Sequence, residues 1–331
     1  MTTVETARGP VDTADLGRTY MHEHVFVLTP EVQQNFPEDW GDEDERVADA
    51  VEKLRALSAQ GVQTIVDPTV IGLGRYIPRI VRINEQVPDL NIVVATGCYT
   101  YSDVPWYFHL RGPGLGEELG VEIPDPMVDM FVKDIREGIA DTGVRAAFLK
   151  CAIDTKGLTK GIERIMRAVA QASLATGAPI TVHTHPGSET GLEVKRVMCD
   201  EEGVAPDRIV LGHSGDSADV DHLSALAEAG FVLGMDRFGI HAGPTTFETR
   251  CDTVVELCRR GFVGSMVLSH DASCYIDWID PNALQFMPQW HYLHIHDDVL
   301  PYLRDHGVTE EQIDQILVAN PRRYFEGTRG D

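Results

Sequence analysis

Apolar residues recur along the chain in two alternating patterns, which predict helices and strands in turn. After the acidic segment 42–45, apolar residues return at intervals of three and four, the spacing of one helix face, at Val47, Val51, Leu54 and Leu57. Gly61 then stands where a left-handed helix end is expected, and the apolar run 62–66 follows as a buried strand. This succession of helix, glycine and strand predicts the organisation of the whole chain.

The same succession recurs until eight strands are predicted. Most of the helices between them end at a glycine, and one of these helices is predicted over 130–141, before Gly143. An unbroken alternation of strand and helix indicates a parallel sheet, and eight units suit a closed (β/α)8 barrel, the TIM barrel. The predicted strands cover 18–24, 62–66, 91–96, 145–150, 179–183, 209–213, 231–236 and 266–271.

An open, doubly wound α/β sheet is the alternative fold. The sequence has no Gly-x-Gly-x-x-Gly after the first strand and no P-loop Gly-Lys-Ser/Thr, so the nucleotide-binding versions of that fold lose support. No low-complexity or Ser/Gly-rich linker interrupts the alternation. Residues 1–331 are therefore predicted to form a single domain.

Composition narrows the class of protein further. The chain has 331 residues, 43% of them hydrophobic, which is enough for a substantial buried core. A net charge of −24 disfavours binding to nucleic acid or to an anionic membrane surface. The N-terminus lacks a basic and apolar leader, and six cysteines occur without a Cys-x-x-Cys pair, so a cytoplasmic protein with reduced thiols is expected.

Potential metal ligands stand at the C-terminal ends of five predicted strands. In a barrel these ends meet at one mouth, where active sites are built. Imidazole and carboxylate groups suit zinc, manganese, iron or cobalt, and two such ions about 3.5 to 4 Å apart can hold a hydroxide between them. The candidates are His22, His24, Lys150, His183, His213 and Asp271.

Lys150 is the unusual member of this set. A protonated ammonium repels two dications by several kcal/mol even at an effective dielectric of roughly 20. Lys150 is therefore neutral, carbamylated, or outside the site.

These residues lie in motifs that together resemble the amidohydrolase superfamily, and within it the phosphotriesterase family. The motifs occur in the same order over nearly the whole chain, and Asn-Pro-Arg-Arg at 320–323 extends the match toward the C-terminus. They are Met-His-Glu-His-Val (21–25), Leu-Lys-Cys (149–151), Val-His-Thr-His (182–185), Leu-Gly-His-Ser-Gly-Asp (211–216), Gly-Met-Asp-Arg-Phe-Gly (234–239) and Leu-Ser-His-Asp (268–271).

The resemblance implies a binuclear centre of two divalent transition-metal ions, zinc first, with cobalt, iron or manganese as alternatives. His22, His24 and Asp271 would hold the more buried ion, and His183 and His213 the more exposed one. Lys150, carboxylated by carbon dioxide to N6-carboxylysine, would bridge the two ions, which removes the conflict of charge. These roles follow from the resemblance, and a non-catalytic metal-binding barrel remains open.

Residues 97–105 are similar to the phosphotriesterase-like lactonases, which place a tyrosine equivalent to Tyr99 at the metals and an arginine equivalent to Arg237 nearby. The resemblance implies hydrolysis of N-acyl-homoserine lactones and related lactones (quorum quenching), with weak phosphotriesterase activity. A dedicated phosphotriesterase is the alternative. Tyr99 could instead be a rim aromatic, and Arg237 an ion-pair partner of Asp236 or another acid.

The expected reaction begins with a metal-bridging hydroxide that attacks the lactone carbonyl. Tyr99 would help to stabilise the oxyanion, and Asp271 would carry the proton to the leaving alkoxide. The loop after the eighth strand supplies candidate residues for the acyl chain: Cys274, Ile276, Trp278, Ile279 and Leu284.

The other histidines are interpreted as structural residues, and two long insertions as loops at the barrel mouth. His294 and His296 lie in a stretch predicted to be helical, where residues two apart diverge, and His270 is expected to pack. The aromatic-rich insertions 101–126 and 274–291 would lie at the barrel mouth, and the first could equally contact a second subunit. A homodimer is implied by the family resemblance.

Overall fold

Eight parallel strands form the centre of the protein in a computed structural model that describes residues 2–241 and 245–327. The described strands are β1 Thr3–Thr6, β2 Gly9–Asp12, β3 Arg18–Tyr20, β4 His24–Val27, β5 Val62–Asp67, β6 Asn91–Gly97, β7 Phe148–Ala152, β8 Ile180–His183, β9 Ile209–Gly212, β10 Val232–Met235, β11 Met266–Leu268 and β12 Ser273–Ile276. The order in the central sheet is β3-β5-β6-β7-β8-β9-β10-β11, and Met21 N donates to Leu268 O at 3.3 Å, which links the two edges. The predicted (β/α)8 barrel is confirmed.

Helices follow the barrel strands and cover the sheet. The described α-helices are α1 Pro30–Asn35, α2 Pro37–Trp40, α3 Glu43–Ala59, α4 Ile77–Asn84, α5 Trp106–Leu110, α6 Pro113–Leu119, α7 Pro126–Arg136, α8 Lys160–Thr176, α9 Thr190–Val194, α10 Val220–Glu228, α11 Phe247–Arg259, α12 Pro281–Leu284, α13 Leu300–Asp305, α14 Glu310–Asp314 and α15 Asn320–Glu326. Helix α3 packs against β5, α8 against β7 and α10 against β10. Among the described residues, no helix combines the length and the apolar character needed to cross a bilayer.

Local chemistry explains where these elements begin and end. Asp42 caps α3 by accepting hydrogen bonds from the backbone N–H of Asp44 and Glu45, at 2.8 and 3.0 Å. The predicted face of α3 is buried at Val47, Val51, Leu54 and Leu57. Gly177 ends α8 in the left-handed conformation, with φ 76°, as the sequence pattern predicts.

Several predicted elements are corrected by the structure. The strand predicted over 145–150 begins at Phe148, and the strand predicted over 266–271 ends at Leu268. The helix predicted over 130–141 is α7, which begins at Pro126 because Asp125 caps it and proline suits the first position, and ends at Arg136, since Gly138 takes a φ of 123°. The strand predicted over 18–24 is interrupted after Tyr20. Beyond the interruption β4 leaves the barrel and pairs in parallel with β12 in a separate two-stranded sheet.

Alternation along the strands separates two buried layers, and this alternation positions the site. On β6, Ile92 and Val94 face the helices, whereas Val93 and Ala95 face the barrel interior. On β7, Phe148 and Ala152 belong to the interior layer. Lys150 lies between them with the same parity, so its side chain enters the barrel.

Candidate metal centre

The six strand-end side chains predicted from the sequence lie together at the barrel mouth. They line one cavity of about 330 Å³, within the range of small-molecule sites. His22 Nε2 and His24 Nε2 lie 3.3 and 3.4 Å from the same oxygen, Asp271 Oδ1. The residues brought together are His22, His24, Lys150, His183, His213 and Asp271.

Two members of this set owe their direction to an unusual backbone conformation. His213 follows β9 with φ 66°, and Asp271 lies three residues beyond Leu268, the last residue of β11, with φ 53°. Left-handed backbone costs a residue that is not glycine about 1–3 kcal/mol, and such strain persists where the surrounding structure enforces it. Both residues lie just beyond the end of a strand, where the alternation of side chains no longer sets their direction. Their side chains nevertheless point into the barrel mouth.

A buried carboxylate orients two of the imidazoles. Asp236 is 1% exposed, and its two oxygens lie 3.0 Å from His22 Nδ1 and 3.0 Å from His213 Nδ1. An ionised carboxylate only accepts, so each Nδ1 carries the proton. The Nε2 lone pairs of both rings are therefore free to bind a metal at the cavity.

The other two imidazoles have partners of their own. His24 Nδ1 lies 2.7 Å from Thr69 Oγ1, whose hydroxyl donates to Asp67 at 2.5 Å, so Nε2 again faces the cavity. His183 is turned the other way: Nε2 bonds to Asp154, and Nδ1 faces His213 Nε2 at 2.8 Å. All four rings thus present one nitrogen to a shared space.

Burial sets the charges of most of these groups. It lowers the pKa of His22 and His213, and it lowers the pKa of His183 to about 4, so these rings are neutral, the form that binds a metal. Burial also lowers the pKa of His24, but Asp271 and Asp67 outweigh it and raise that pKa to about 9.

The Lys150 side chain is buried, as these imidazole rings are. Burial lowers its pKa to about 8, and Nζ lies 3.4 Å from His22 Nε2. With this pKa, a substantial fraction of Lys150 is neutral at physiological pH. The neutral amine is the form that reacts with carbon dioxide. The donor set therefore fits a pair of transition-metal ions. In support, the ligand atoms of His22, His24 and Asp271 lie within 4.8 Å of one another.

Tyr99 and Arg237 stand beside this donor set. The Tyr99 hydroxyl oxygen lies 3.4 Å from His183 Nδ1 and 3.1 Å from the Tyr101 hydroxyl. Arg237 donates from Nε to Asp271 Oδ2 at 3.0 Å, and its guanidinium also reaches Asp216 Oδ2 at 2.9 Å. Asp271 and Asp216, and not Asp236, are thus the acids that Arg237 pairs with.

The loop residues predicted to bind the acyl chain divide into two groups. Ile276, Trp278 and Ile279 line the cavity above the donor set. Cys274 and Leu284 do not; they line a neighbouring cavity of about 540 Å³. Cys274 faces away because its Sγ lies 3.3 Å from the Tyr292 hydroxyl and 4.0 Å from the carbonyl oxygen of Ala50 on α3.

Sequence reasoning missed the carboxylates behind the imidazoles. Asp236 directly follows β10 and Asp154 lies two residues beyond β7, so the same strand-end rule could have found both. Thr69 lies two residues beyond β5, so the rule also places it at the barrel mouth, although a threonine alone does not indicate a role there. The remaining histidine pair is elsewhere: His294 bonds to Asp298 at 2.7 Å and His296 to Asp297 at 2.9 Å, which agrees with a structural role.

Comparison with known proteins extends over the whole barrel. Residues 2–325 match the phosphotriesterase family. A phosphotriesterase homology protein of Mycobacterium tuberculosis is 57% identical over 331 residues, covering 100% of this chain and 99% of that protein. An aryldialkylphosphatase of Saccharolobus solfataricus is 36% identical, covering 95% and 96%. A solved structure described as the phosphotriesterase from Mycobacterium tuberculosis superposes with a TM-score of 0.94, covering 98% of each chain at 57% identity.

Proposed function

Because the chain belongs to the phosphotriesterase family of hydrolases, we propose that it is a metal-dependent lactonase acting on N-acyl-homoserine lactones and related lactones. The observation that carries the proposal is the composition of one cavity. Its floor is the histidine, lysine and aspartate set, and its wall is the apolar group Ile276, Trp278 and Ile279. A lactone with an acyl tail needs both, a hydrolytic floor for the ring and an apolar wall for the tail.

Two divalent ions are proposed as the cofactors, with zinc the first candidate. His22, His24 and Asp271 would hold one ion, His183 and His213 the other, and carboxylated Lys150 would bridge them. When bound, such ions polarise a carbonyl oxygen and lower the pKa of bound water to about 7. Carboxylation turns a lysine cation into an anion, which suits a position shared by two dications.

The chain's own residues supply orientation and proton transfer. Asp236, Asp154 and Thr69 hold the imidazole rings in the tautomers that face the cavity. The Tyr99 hydroxyl is placed to donate a hydrogen bond to the oxygen of the attacked carbonyl.

Asp271 is proposed as the proton carrier. Burial raises its pKa, but the neighbouring histidines and Arg237 outweigh burial and hold that pKa well below the ordinary value, so Asp271 is ionised and able to accept a proton. It would take this proton from the attacking water and deliver it to the alkoxide that leaves as the ring opens. Arg237 fixes its second oxygen at 3.0 Å.

A dedicated phosphotriesterase is the second candidate. The names of two relatives favour it, the aryldialkylphosphatase of Saccharolobus solfataricus and the phosphotriesterase described from Mycobacterium tuberculosis. The same donor set could serve a phosphorus centre, because metal-assisted hydrolysis uses the same groups on both substrates.

Measuring kcat/KM side by side on a long-chain N-acyl-homoserine lactone and on an aryl dialkyl phosphate decides between these candidates. The lactone value is expected to be the higher, to vanish on chelation, and to return with a divalent transition metal. A higher value on the phosphate would select the phosphotriesterase. Two bound equivalents of metal without hydrolysis of lactone, ester or phosphotriester would select a non-catalytic barrel instead.

A further inference from the structure

Glu23, between the two histidines of the first motif, is fully buried and does not line the cavity. Its carboxylate reaches instead to the segment that follows β11. Oε1 accepts from His270 N at 2.9 Å, and Oε2 accepts from Ala272 N at 3.1 Å. The two peptide N–H groups that flank Asp271 are therefore bound by one side chain.

The direction of a third hydrogen bond follows from His270, which is also fully buried. His270 Nε2 accepts from the backbone N–H of Ile295 at 2.9 Å, so the proton of the neutral ring is on Nδ1. Nδ1 lies 2.6 Å from Glu23 Oε1 and donates to it. Three N–H donors thus converge on the Glu23 carboxylate, which accepts from all of them.

Asp271, between the two bound amides, is held in a strained conformation. Its φ is 53°, and its own N–H donates to His22 O at 3.0 Å. No glycine relieves the left-handed backbone here, so surrounding bonds must enforce it. The amides of His270, Asp271 and Ala272 are all bound to the 22–23 segment, two of them through Glu23.

We propose that Glu23 is a positioning residue that fixes the backbone of Asp271, so that the carboxylate of Asp271 points at His22 Nε2 and His24 Nε2. The inference rests on the proposed function only in giving Asp271 a role as ligand and proton carrier. Glu23 thereby couples the first motif of the chain to the last, because the residue between two ligands sets the direction of a third ligand about 250 positions away.

Glu23 could instead merely fasten the end of strand β11, and a matched residue separates the two roles. Asn320 is fully buried at the other end of β11, where Nδ2 donates to Val263 O at 2.8 Å and to Met266 O at 2.7 Å. Loss of either anchor destabilises the barrel. Only loss of Glu23 removes the hydrogen bonds to the two backbone amides that flank Asp271.

The test compares Glu23→Gln with Asn320→Ala. The amide that replaces the carboxylate would direct NH2 hydrogens at one of the bound N–H groups, and the backbone at Asp271 would loosen. We expect Glu23→Gln to lower the affinity for the first zinc ion and kcat by about 10- to 100-fold with KM changed little, the range for residues that orient metal ligands. Amide hydrogen exchange of residues 269–273 is expected to accelerate in Glu23→Gln alone.

Asn320→Ala is expected to lower the melting temperature while zinc affinity and kcat per folded molecule stay as in the parent. If Glu23→Gln does not fold, Glu23→Asp serves, since it keeps the carboxyl group but is one methylene too short to bind both flanking amides. Equal effects of the Glu23 and Asn320 variants on zinc affinity and exchange would overturn the proposal. Zinc affinity and exchange need no substrate, so failure of the proposed lactonase would show only in the turnover assay.

Discussion

The floor and the wall of the cavity are built in different ways. On the floor, His22, His213 and Lys150 are at most 2% exposed, and the imidazoles each bond to a second polar side chain. On the wall, Trp278 is 40% exposed and lies in a loop outside the barrel. Strands and hydrogen bonds to acidic side chains hold the floor in place. The wall lies largely in a loop, whose contacts can change more easily.

The difference separates two kinds of function. Chemistry that needs a defined arrangement of donors depends on the floor, and preference among substrates depends on the wall. Substitutions on the floor should therefore affect every substrate, and substitutions on the wall should affect substrates unequally.

Lys150→Ala should have the largest effect. It removes the only lysine among the six donors and leaves the two proposed ions without a bridge. We expect kcat/KM to fall by more than about a hundredfold on every substrate, with metal content reduced as measured by atomic emission. Lys156→Ala, an exposed lysine beyond β7, should leave both unchanged. Full activity of Lys150→Ala would remove Lys150 from the site.

Asp236→Asn comes next, because it disturbs two imidazoles at once. An asparagine can accept from one Nδ1–H but presents NH2 to the other, so one ring loses its orientation. We expect zinc affinity and kcat to fall by about 10- to 100-fold on lactone and phosphate alike. Asp219→Asn is the control, since asparagine also caps α10. A change in the ratio of kcat for the lactone to kcat for the phosphate would contradict the assignment of Asp236 to the floor.

Acid should destabilise the metal-free protein through its buried neutral histidines. The pKa of His183 is lowered to about 4 and that of His270 to about 3, so below pH 6.5 the unfolded chain binds protons that the folded chain does not. Stability is then lost as pH falls from 6.5 toward 4, by about 3 kcal/mol for each of the two groups. His24, with its raised pKa of about 9, has the opposite sign and loses its contribution as pH rises from 6.5 through 9. Calorimetry between pH 7 and 4.5 should show a falling melting temperature, and a constant one would exclude this linkage.

Trp278→Ala should affect substrates unequally. Its ring lies 5.9 Å from that of Tyr99, and loss of about 1 kcal/mol of apolar contact should lower kcat/KM roughly fivefold on a long-chain lactone. A short-chain lactone should change less, because it makes less contact with the wall. Phe286→Ala is a matched control in the same loop, since Phe286 is 80% exposed and does not line the cavity. An equal loss on both lactones would place Trp278 with the floor.

Trp106→Ala should have the smallest effect on the chain itself. Trp106 is 74% exposed on α5, so its removal should change the free energy of unfolding of the monomer by less than about 0.5 kcal/mol. We propose that the chain is a homodimer and that this face contributes to the contact. Sedimentation velocity should then show a shift toward monomer in the variant, and an unchanged distribution would place the contact elsewhere.

The sequence predicted the floor better than the wall, for a physical reason. Lys150 and His183 lie on strands whose alternation fixes their direction, and the strand pattern is readable from apolar residues alone. His22 lies where the predicted strand is interrupted, and Asp271 depends on a left-handed backbone; both were located by their place beside a strand end, not by alternation.

Two of the five residues predicted for the wall, Cys274 and Leu284, were placed wrongly because side-chain direction in a loop depends on tertiary contacts. Cys274 and Leu284 are close in sequence to Ile276 and Ile279, yet packing against α3 and Tyr292 turns Cys274 away from the cavity. Asp154 and Asp236 carry no periodic signal of their own. Their place at strand ends marks them as candidates, but only the structure shows which imidazole each of them orients.

The hydrogen bond from Met21 to Leu268, which closes the barrel, joins two segments that are synthesised far apart in time. A ribosome that has made His22 and His24 must add about 250 residues before Asp271 exists, or about 12 to 50 seconds at ordinary rates of synthesis. The growing chain therefore carries a histidine pair without its carboxylate for most of its synthesis. The complete set of six side chains therefore exists only after synthesis has passed Asp271.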